Sequence, residues 1–426
     1  MQLSYKYRAY PDGETEKKLF HALDLCRWLY NTLLGMLDTY RGEFGKQDTQ
    51  NAIAQIKQVY PELDDVYSKT LQMVNQRLWS SIKALSKLKK NGRRVGRLKY
   101  KKKGWYNTLE YNQSGFFVDA EGQTVWFSKI GIIRFDVYRP LPENGIVKGI
   151  IITWQNGAWY LVMQVEIPDV ENRLADTVEA GGPVPDEMLQ EKRVVGIDVN
   201  VGSFADYDGT VFHNVENPKM LDRKLDELRF RQRSLSRKKK CSQNYHKARK
   251  LVARTHEKVR NIRNNRNHQL SRKYVDAYDI IVVEDNDIAG MVSRQHRIVK
   301  LSPKARRTLR RNILDAGWGD FVQKLGYKAR QAGKLLLKIR PTNTTQRCSH
   351  CGSLVYKDIT KRTHKCPYCG LVIDRDENSA VNIRNEGIKI LRAGNRPEPD
   401  GEACFYPVEQ PGKQAPMKQE ATAFRP

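Results

Sequence analysis

The chain has 426 residues, enough for roughly two to four domains that each bury a core. Its 75 Lys and Arg outnumber 48 Asp and Glu, a formal net charge of +27. That excess points to a polyanion as partner, because cations gain affinity for nucleic acid by releasing its condensed counterions. The opening residues lack an apolar signal segment and no apolar run is long enough to cross a bilayer, which sets aside membrane and secreted classes and implies a cytoplasmic protein. In a reducing compartment the seven cysteines read as metal ligands or buried thiols before disulfides.

A short strand opens the chain, and Pro11-Asp12-Gly13-Glu14 turns it into a helix. Leu19, Leu23, Cys26, Tyr30, Leu33 and Leu37 recur at three- and four-residue steps and mark one apolar face. Helical periodicity continues from Thr49 to Lys90. The end of this segment is basic: Lys83, Lys87, Lys89, Lys90, Arg93, Arg94, Arg97, Lys99, Lys101, Lys102 and Lys103 stand without a single acid among them, followed by Trp105 and Tyr106. Cations interleaved with aromatics suit a surface that tracks a nucleic-acid backbone; a solvated loop is the plainer alternative.

From Asn107 to Pro168 the period falls to two. Val147 to Trp154 and Trp159 to Ile167 form a hairpin through Gln155-Asn156-Gly157, since asparagine and glycine tolerate positive φ. Phe116 to Val118 pairs with a strand over Val125 to Phe135, giving a small antiparallel barrel or sheet. Val170 to Lys192 is acidic and reads as a linker. A buried strand, Arg193 to Val199, then leads to a hairpin over Gly202 to Val215 and a long helical stretch from Pro218 to Tyr278. Between Pro218 and Lys273 stand 20 Lys and Arg against 4 acids, with Arg237, Lys238, Lys239, Lys240, Arg260 and Arg263 as candidate nucleic-acid contacts. A second apolar strand ends at Glu284. An amphipathic helix over Asp315 to Ala332 and a strand over Lys334 to Ile339 follow, and the last residues, rich in Pro, Gly and Gln, read as disordered.

Cleavage of a phosphodiester by two metal ions needs two or three carboxylates held close together. Asp198 and Glu284 each end an apolar strand, where an acid is expensive unless a cation neutralises it. The third candidate lies in Asp374-Arg375-Asp376-Glu377-Asn378, at the start of the last helix. Any one of these acids could instead be a turn or helix cap. Together their order is that of the acids in ribonuclease-H-like nucleases. Cys348, Cys351, Cys366 and Cys369 form two CxxC pairs with 14 residues between them. Gly352 and Gly370 follow the pairs, where a knuckle turns, so one structural Zn²⁺ with four thiolates is expected, with a redox dithiol as the alternative. His350 and His364 are surplus to that set. Cys26, Cys241 and Cys404 stand alone and read as packing residues.

Seven segments in this order resemble the TnpB family, the OrfB-type proteins of bacterial and archaeal insertion sequences: Tyr7-Arg8-Ala9-Tyr10-Pro11, Cys26-Arg27-Trp28-Leu29-Tyr30-Asn31, Gly196-Ile197-Asp198, Val282-Val283-Glu284-Asp285, Asp315-Ala316-Gly317-Trp318, Thr345 to Gly352, and Asp374 to Asn378. The first nuclease motif departs from the family at Asn200, where glycine is usual. The resemblance implies an RNA-guided DNA endonuclease that binds a guide RNA and cuts double-stranded target DNA beside a short adjacent motif. It implies a multi-domain α+β chain with a ribonuclease-H-like (RuvC) core. Residues 1–10 and 107–169 would form a β-barrel-like wedge domain, 11–106 a helical recognition domain, 170–192 a linker, 193–340 and 373–392 the nuclease core, 341–372 an inserted zinc ribbon, and 393–426 a disordered tail. Asp198, Glu284 and Asp376 would hold two Mg²⁺, or Mn²⁺ in their place, Asp376 being taken over Asp374 as the second acid of its motif. The cell would be prokaryotic and the protein a nucleoid-associated monomer. A repressor that binds without cutting and a strand-transfer transposase are the competing readings. A guide–target heteroduplex is read through its A-form backbone, which suits long basic segments better than base-reading side chains.

Overall fold

The computed structural model describes residues 1–39, 44–216, 219–293, 302–357 and 361–394. The chain divides into two compact units, Met1–Pro168 and Asp169–Pro426.

In the first unit, β1 (Gln2–Tyr10) leads into α1 (Gly13–Thr39), α2 (Lys46–Val59), a short 3₁₀ turn at Pro61–Asp65 and α3 (Ser68–Lys90). Then come β2 (Thr108–Asn112), β3 (Phe116–Asp119), β4 (Thr124–Phe127), β5 (Gly131–Phe135), β6 (Ile146–Gln155) and β7 (Ala158–Glu166). The strands form one antiparallel sheet in the order β2-β6-β7-β1-β5-β4-β3. Of the expected barrel or sheet, the described strands form a sheet, with no pairing of β2 to β3 among them. Alternation explains its one buried face: Leu109, Tyr111, Val125, Phe127, Ile133, Phe135, Leu161 and Met163 join the apolar stripe of α1, from Leu19 through Cys26 to Leu33, in a single core. The strand expected over Val125 to Phe135 is two strands, because Lys129 (φ 68) and Gly131 (φ 112) turn the chain between them.

In the second unit, α4 (Arg173–Glu179) and α5 (Asp186–Gln190) precede β8 (Val194–Val199), β9 (Ser203–Tyr207) and β10 (Phe212–Glu216). Next are α6 (Lys219–Ser236), α7 (Gln243–Ala277), β11 (Ile280–Glu284), α8 (Ile288–Met291), α9 (Pro303–Ala316), α10 (Trp318–Gln331) and β12 (Leu335–Ile339). The hairpin of β13 (Thr363–Lys365) and β14 (Val372–Asp374) leads into α11 (Arg375–Ala393). Five strands form a mixed sheet in the order β10-β9-β8-β11-β12. The pairs β10–β9 and β9–β8 are antiparallel, while β8, β11 and β12 are parallel. Central strands read as unbroken apolar runs because both faces are covered. Val195, Ile197, Ile281 and Val283 pack with Leu270 and Tyr274 of α7 and Phe321 and Leu325 of α10. Val194, Ile280, Val282 and Leu337 pack on the other side with Ile383 and Leu391 of α11.

Three expectations change here. Residues 170–192 are folded, not a linker: Leu174, Val184 and Leu189 are buried in that second core, and Val184 N donates to Leu391 O at 2.8 Å. The stretch from Pro218 to Tyr278 is two helices, broken where Cys241 adopts φ 66. The helix over Asp315 to Ala332 is split at Gly317, whose left-handed φ of 69 ends α9 and starts α10. Gly394 is the last described residue, so the expected tail beyond it, with Cys404, lies outside the described residues.

Candidate active site

Asp198 and Glu284 lie at the same ends of adjacent parallel strands. Ile197 pairs with Val283 in the β8–β11 register, so the next residues along, Asp198 and Glu284, stand side by side on one face. That face is covered by α11. A Cβ on Gly196 would strike Ala380 O and lie 2.5 Å from Arg384 N, and one on Gly387 would lie 2.5 Å from Val282 Cγ2. Two glycines, one on the strand and one on the helix, therefore let the backbones approach until Asp376, in the first turn of α11, reaches the same region. Asp374 takes the cap role, accepting from Asp376 N at 2.7 Å and Glu377 N at 3.3 Å. That leaves the Asp376 carboxylate buried and available for other work.

The electrostatics report the proximity of the three acids. Asp198 is pushed up from 3.8 to about 7, first by burial, then by the negative charges of Glu284 and Asp376. Asn200 Nδ2 donates to Asp198 Oδ2 at 3.1 Å and offsets part of this. Glu284 accepts from Thr344 Oγ1 at 2.6 Å and Asn286 Nδ2 at 3.1 Å. Asp376 accepts from Arg362 Nη1 and Arg375 Nη2, each at 3.0 Å. Asn382 Nδ2 fixes the approach to the ribbon by donating to the carbonyls of Thr344 and Arg347 at 2.8 and 2.7 Å. None of Thr344, Arg362 and Asn382 is marked out in the sequence, because each acts through a contact distant along the chain, whereas Arg375 adjoins Asp376 in the motif itself.

The four cysteines converge more tightly. Their sulfurs lie within 4.8 Å of one another and could hold a metal ion. Cys348 Sγ is 3.6 Å from Cys369 Sγ, and Cys351 Sγ is 3.6 Å from Cys366 Sγ, close to the ~3.8 Å edge of a tetrahedron built on 2.3 Å Zn–S bonds. Each sulfur from one knuckle thus meets one from the other. His350 and His364 are outside this set; His364 is buried and its Nδ1 lies 2.7 Å from Lys357 Nζ. Of the lone cysteines, Cys26 is buried in the first core, whereas Cys241 is exposed in a turn and is not a packing residue.

Among the basic candidates, Lys83, Lys87, Lys89 and Lys90 are exposed on α3, and Arg93, Arg94, Arg97, Lys99, Lys102 and Lys103 are exposed after it. Lys101 is half-buried with Nζ 5.5 Å above the Tyr30 ring. Arg237, Lys238, Lys239 and Lys240 are exposed between α6 and α7. Arg260 approaches Glu257 at 3.7 Å. Arg263 turns inward: it donates to Leu314 O at 2.8 Å and lies 4.0 Å from Asp315, so it clamps α7 to the end of α9.

A family described as "Probable transposase" matches residues 165–295, "Cas12f1-like, TNB domain" matches 318–383, and "Helix-turn-helix domain" matches 1–46. A protein named "Putative RNA-guided DNA endonuclease InsQ", from Escherichia coli K12, is 28% identical over 98% of this chain and 97% of its own length. A "Putative RNA-guided DNA endonuclease" of Streptomyces pristinaespiralis is 27% identical over 94% of this chain and 93% of its own. A structure titled "Cryo-EM structure of the Cas12f1-sgRNA-target DNA complex" superposes with a TM-score of 0.52 at 14% identity, covering 90% of this chain and 99% of that one. The class is therefore a mixed α/β protein sharing the fold of Cas12f1. Within that class the chain is similar in sequence to the OrfB-type TnpB family of insertion-sequence proteins. Among the described residues no helix is long and apolar enough to cross a membrane.

Proposed function

We propose that the chain is an RNA-guided DNA endonuclease of an insertion sequence, cutting double-stranded DNA beside a short adjacent motif through Asp198, Glu284 and Asp376. The observation that carries this reading is Asp198, kept from ionising first by its burial and then by two further acids brought beside it from β11 and α11. Repelling carboxylates at the ends of a rigid sheet are what a pair of divalent cations relieves. The strand order, an antiparallel meander followed by two parallel strands, supports assignment of the sheet to the ribonuclease-H-like (RuvC) group. Relatives named as RNA-guided DNA endonucleases over nearly their whole length support the same activity.

Asp198, Glu284 and Asp376 would hold the Mg²⁺, which would supply Lewis-acid stabilisation of the charge developing on a scissile phosphate. The chain's own residues do the positioning. Asn200 orients Asp198, Thr344 and Asn286 orient Glu284, and Asn382 holds the segment that carries Thr344. Cys348, Cys351, Cys366 and Cys369 would hold a Zn²⁺, which would organise the ribbon and not activate water, because four thiolates would fill its coordination. The exposed cations after α3 and between α6 and α7 bind the phosphates of guide RNA and target DNA. We assign β1 and residues 107–169 to a wedge domain and 11–106 to a recognition domain on the same grounds.

The test is cleavage of a plasmid carrying the target and adjacent motif by the protein with its co-purifying RNA. Asp198→Ala and Glu284→Ala each abolish cutting, while guide and target binding stay within about twofold of wild type, because binding rests on phosphate contacts elsewhere. Cutting by either variant refutes the site. Binding without cuts by the wild type supports the repressor reading, and joined strands support a transposase.

A further inference from the structure

Asp376 is the only one of the three acids that is paired to side-chain cations among the described residues. Asp198 accepts from the Asn200 amide, and Glu284 from a hydroxyl and an amide, all of them neutral groups. Asp376 instead carries a guanidinium on each oxygen, Arg362 on Oδ2 and Arg375 on Oδ1. The two arginines differ in their surroundings. The side chain of Arg375 is 12% exposed and that of Arg362 is 67% exposed. An exposed guanidinium can turn into water while keeping its hydration, whereas a buried one is held by its neighbours. The backbone under Arg362 is fixed, since Arg375 N donates to Arg362 O at 2.7 Å and Thr363 pairs with Asp374 across the β13–β14 hairpin. Arg362 is therefore an exposed side chain on a fixed base, paired to one oxygen of a buried carboxylate.

We infer that Arg362 is an exchangeable internal cation, which holds Oδ2 of Asp376 until a divalent ion takes that oxygen and so sets the ion concentration at which the centre loads. The inference rests on the reading of Asp198, Glu284 and Asp376 as a metal centre. It adds a function for the ribbon: the hairpin that follows the first cysteine pair presents the competitor, so ribbon folding and loading of the centre are coupled. Arg375 stays on Oδ1 and keeps the carboxylate oriented during the exchange. Arg362 is a positioning residue in this scheme, acting on Asp376.

The test measures Mn²⁺ binding to the full-length, zinc-loaded protein freed of nucleic acid, read from the paramagnetic resonance signal of the free ion. Arg362→Gln and Arg362→Ala both remove the competitor and tighten binding by about fivefold, the scale of one partly exposed ion pair. Lys361→Gln removes the same charge from the neighbouring, exposed position and changes binding by less than about twofold. The Mg²⁺ concentration for half-maximal cleavage falls by the same factor in the Arg362 variants. Unchanged or weaker Mn²⁺ binding in both Arg362 variants overturns the inference, and so does equal tightening by Lys361→Gln, which would make the effect one of general field. If the wild type binds no Mn²⁺, or Asp198→Ala binds it as well as wild type does, the metal centre itself is refuted and this inference with it.

Discussion

Replacing Asp198 with asparagine keeps the shape of the side chain and removes its charge from a buried position beside Glu284 and Asp376. The folded-state pKa of Asp198 is raised from 3.8 to about 7, so the folded chain binds this proton more tightly than the unfolded chain does. The destabilisation is absent below pH 3.8, grows as the pH rises, and is complete above about 7. At about 1.4 kcal/mol for each pH unit it reaches about 4 kcal/mol at pH 8 and about 2 kcal/mol at pH 5.5. For a unit of this size each kcal/mol moves Tm by about 2–4 °C. Asp198→Asn therefore raises Tm by roughly 8–16 °C at pH 8 and about half as much at pH 5.5, measured by calorimetry in magnesium-free buffer with zinc retained. Added magnesium raises the Tm of wild type and narrows the gap. Equal gains at the two pH values, or a loss at both, would refute the argument, since either outcome means that burial and the neighbouring acids do not hold the carboxylate back from ionising.

Other perturbations probe separate parts of the chain. Cys348→Ser releases zinc, so that metal analysis falls from about one zinc per chain towards none, and the ribbon becomes sensitive to proteolysis; a wild type without zinc refutes the assignment. Gly196→Ala places a methyl group against Ala380 O and Arg384 N and destabilises the second unit by about 1–3 kcal/mol, read from denaturant unfolding, with loss of cleavage as α11 is displaced. Neutralising Arg237, Lys238, Lys239 and Lys240 together weakens nucleic-acid binding and lowers the slope of log affinity against log salt by up to about four; an unchanged slope means these side chains do not reach phosphate.

Much of this arrangement was legible in the residues. Val194 to Val199 and Ile280 to Glu284 are apolar runs ending in an acid, and the cost of burying that acid identifies it without coordinates. The cysteine spacing likewise carries its own geometry. What periodicity cannot register is the single residue that interrupts it: Gly317 divides one amphipathic pattern into two helices without disturbing the apolar spacing, and Cys241 does the same between α6 and α7. The segment 170–192 misled because its charge suggested a linker, while three apolar residues, Leu174, Val184 and Leu189, suffice to seat it against the end of α11. Arg263 was counted with the phosphate binders because it lies in a basic run, yet its partners are a backbone carbonyl and an acid some fifty positions away. Thr344 and Asn382 were invisible for the same reason.

The seating of α11 on bare glycine backbone has a mechanical consequence. A helix that rests only on side chains can slide or rock as they change rotamer, but one pressed against main-chain atoms at Gly196, and meeting Val282 through Gly387, is pinned at those two points however the side chains between them repack. Asp376 accordingly moves with the sheet as one rigid block, and adjustment to ions or to a bound strand falls to the parts attached at its edge: the segment around Thr344 and the arginine-bearing hairpin of the ribbon.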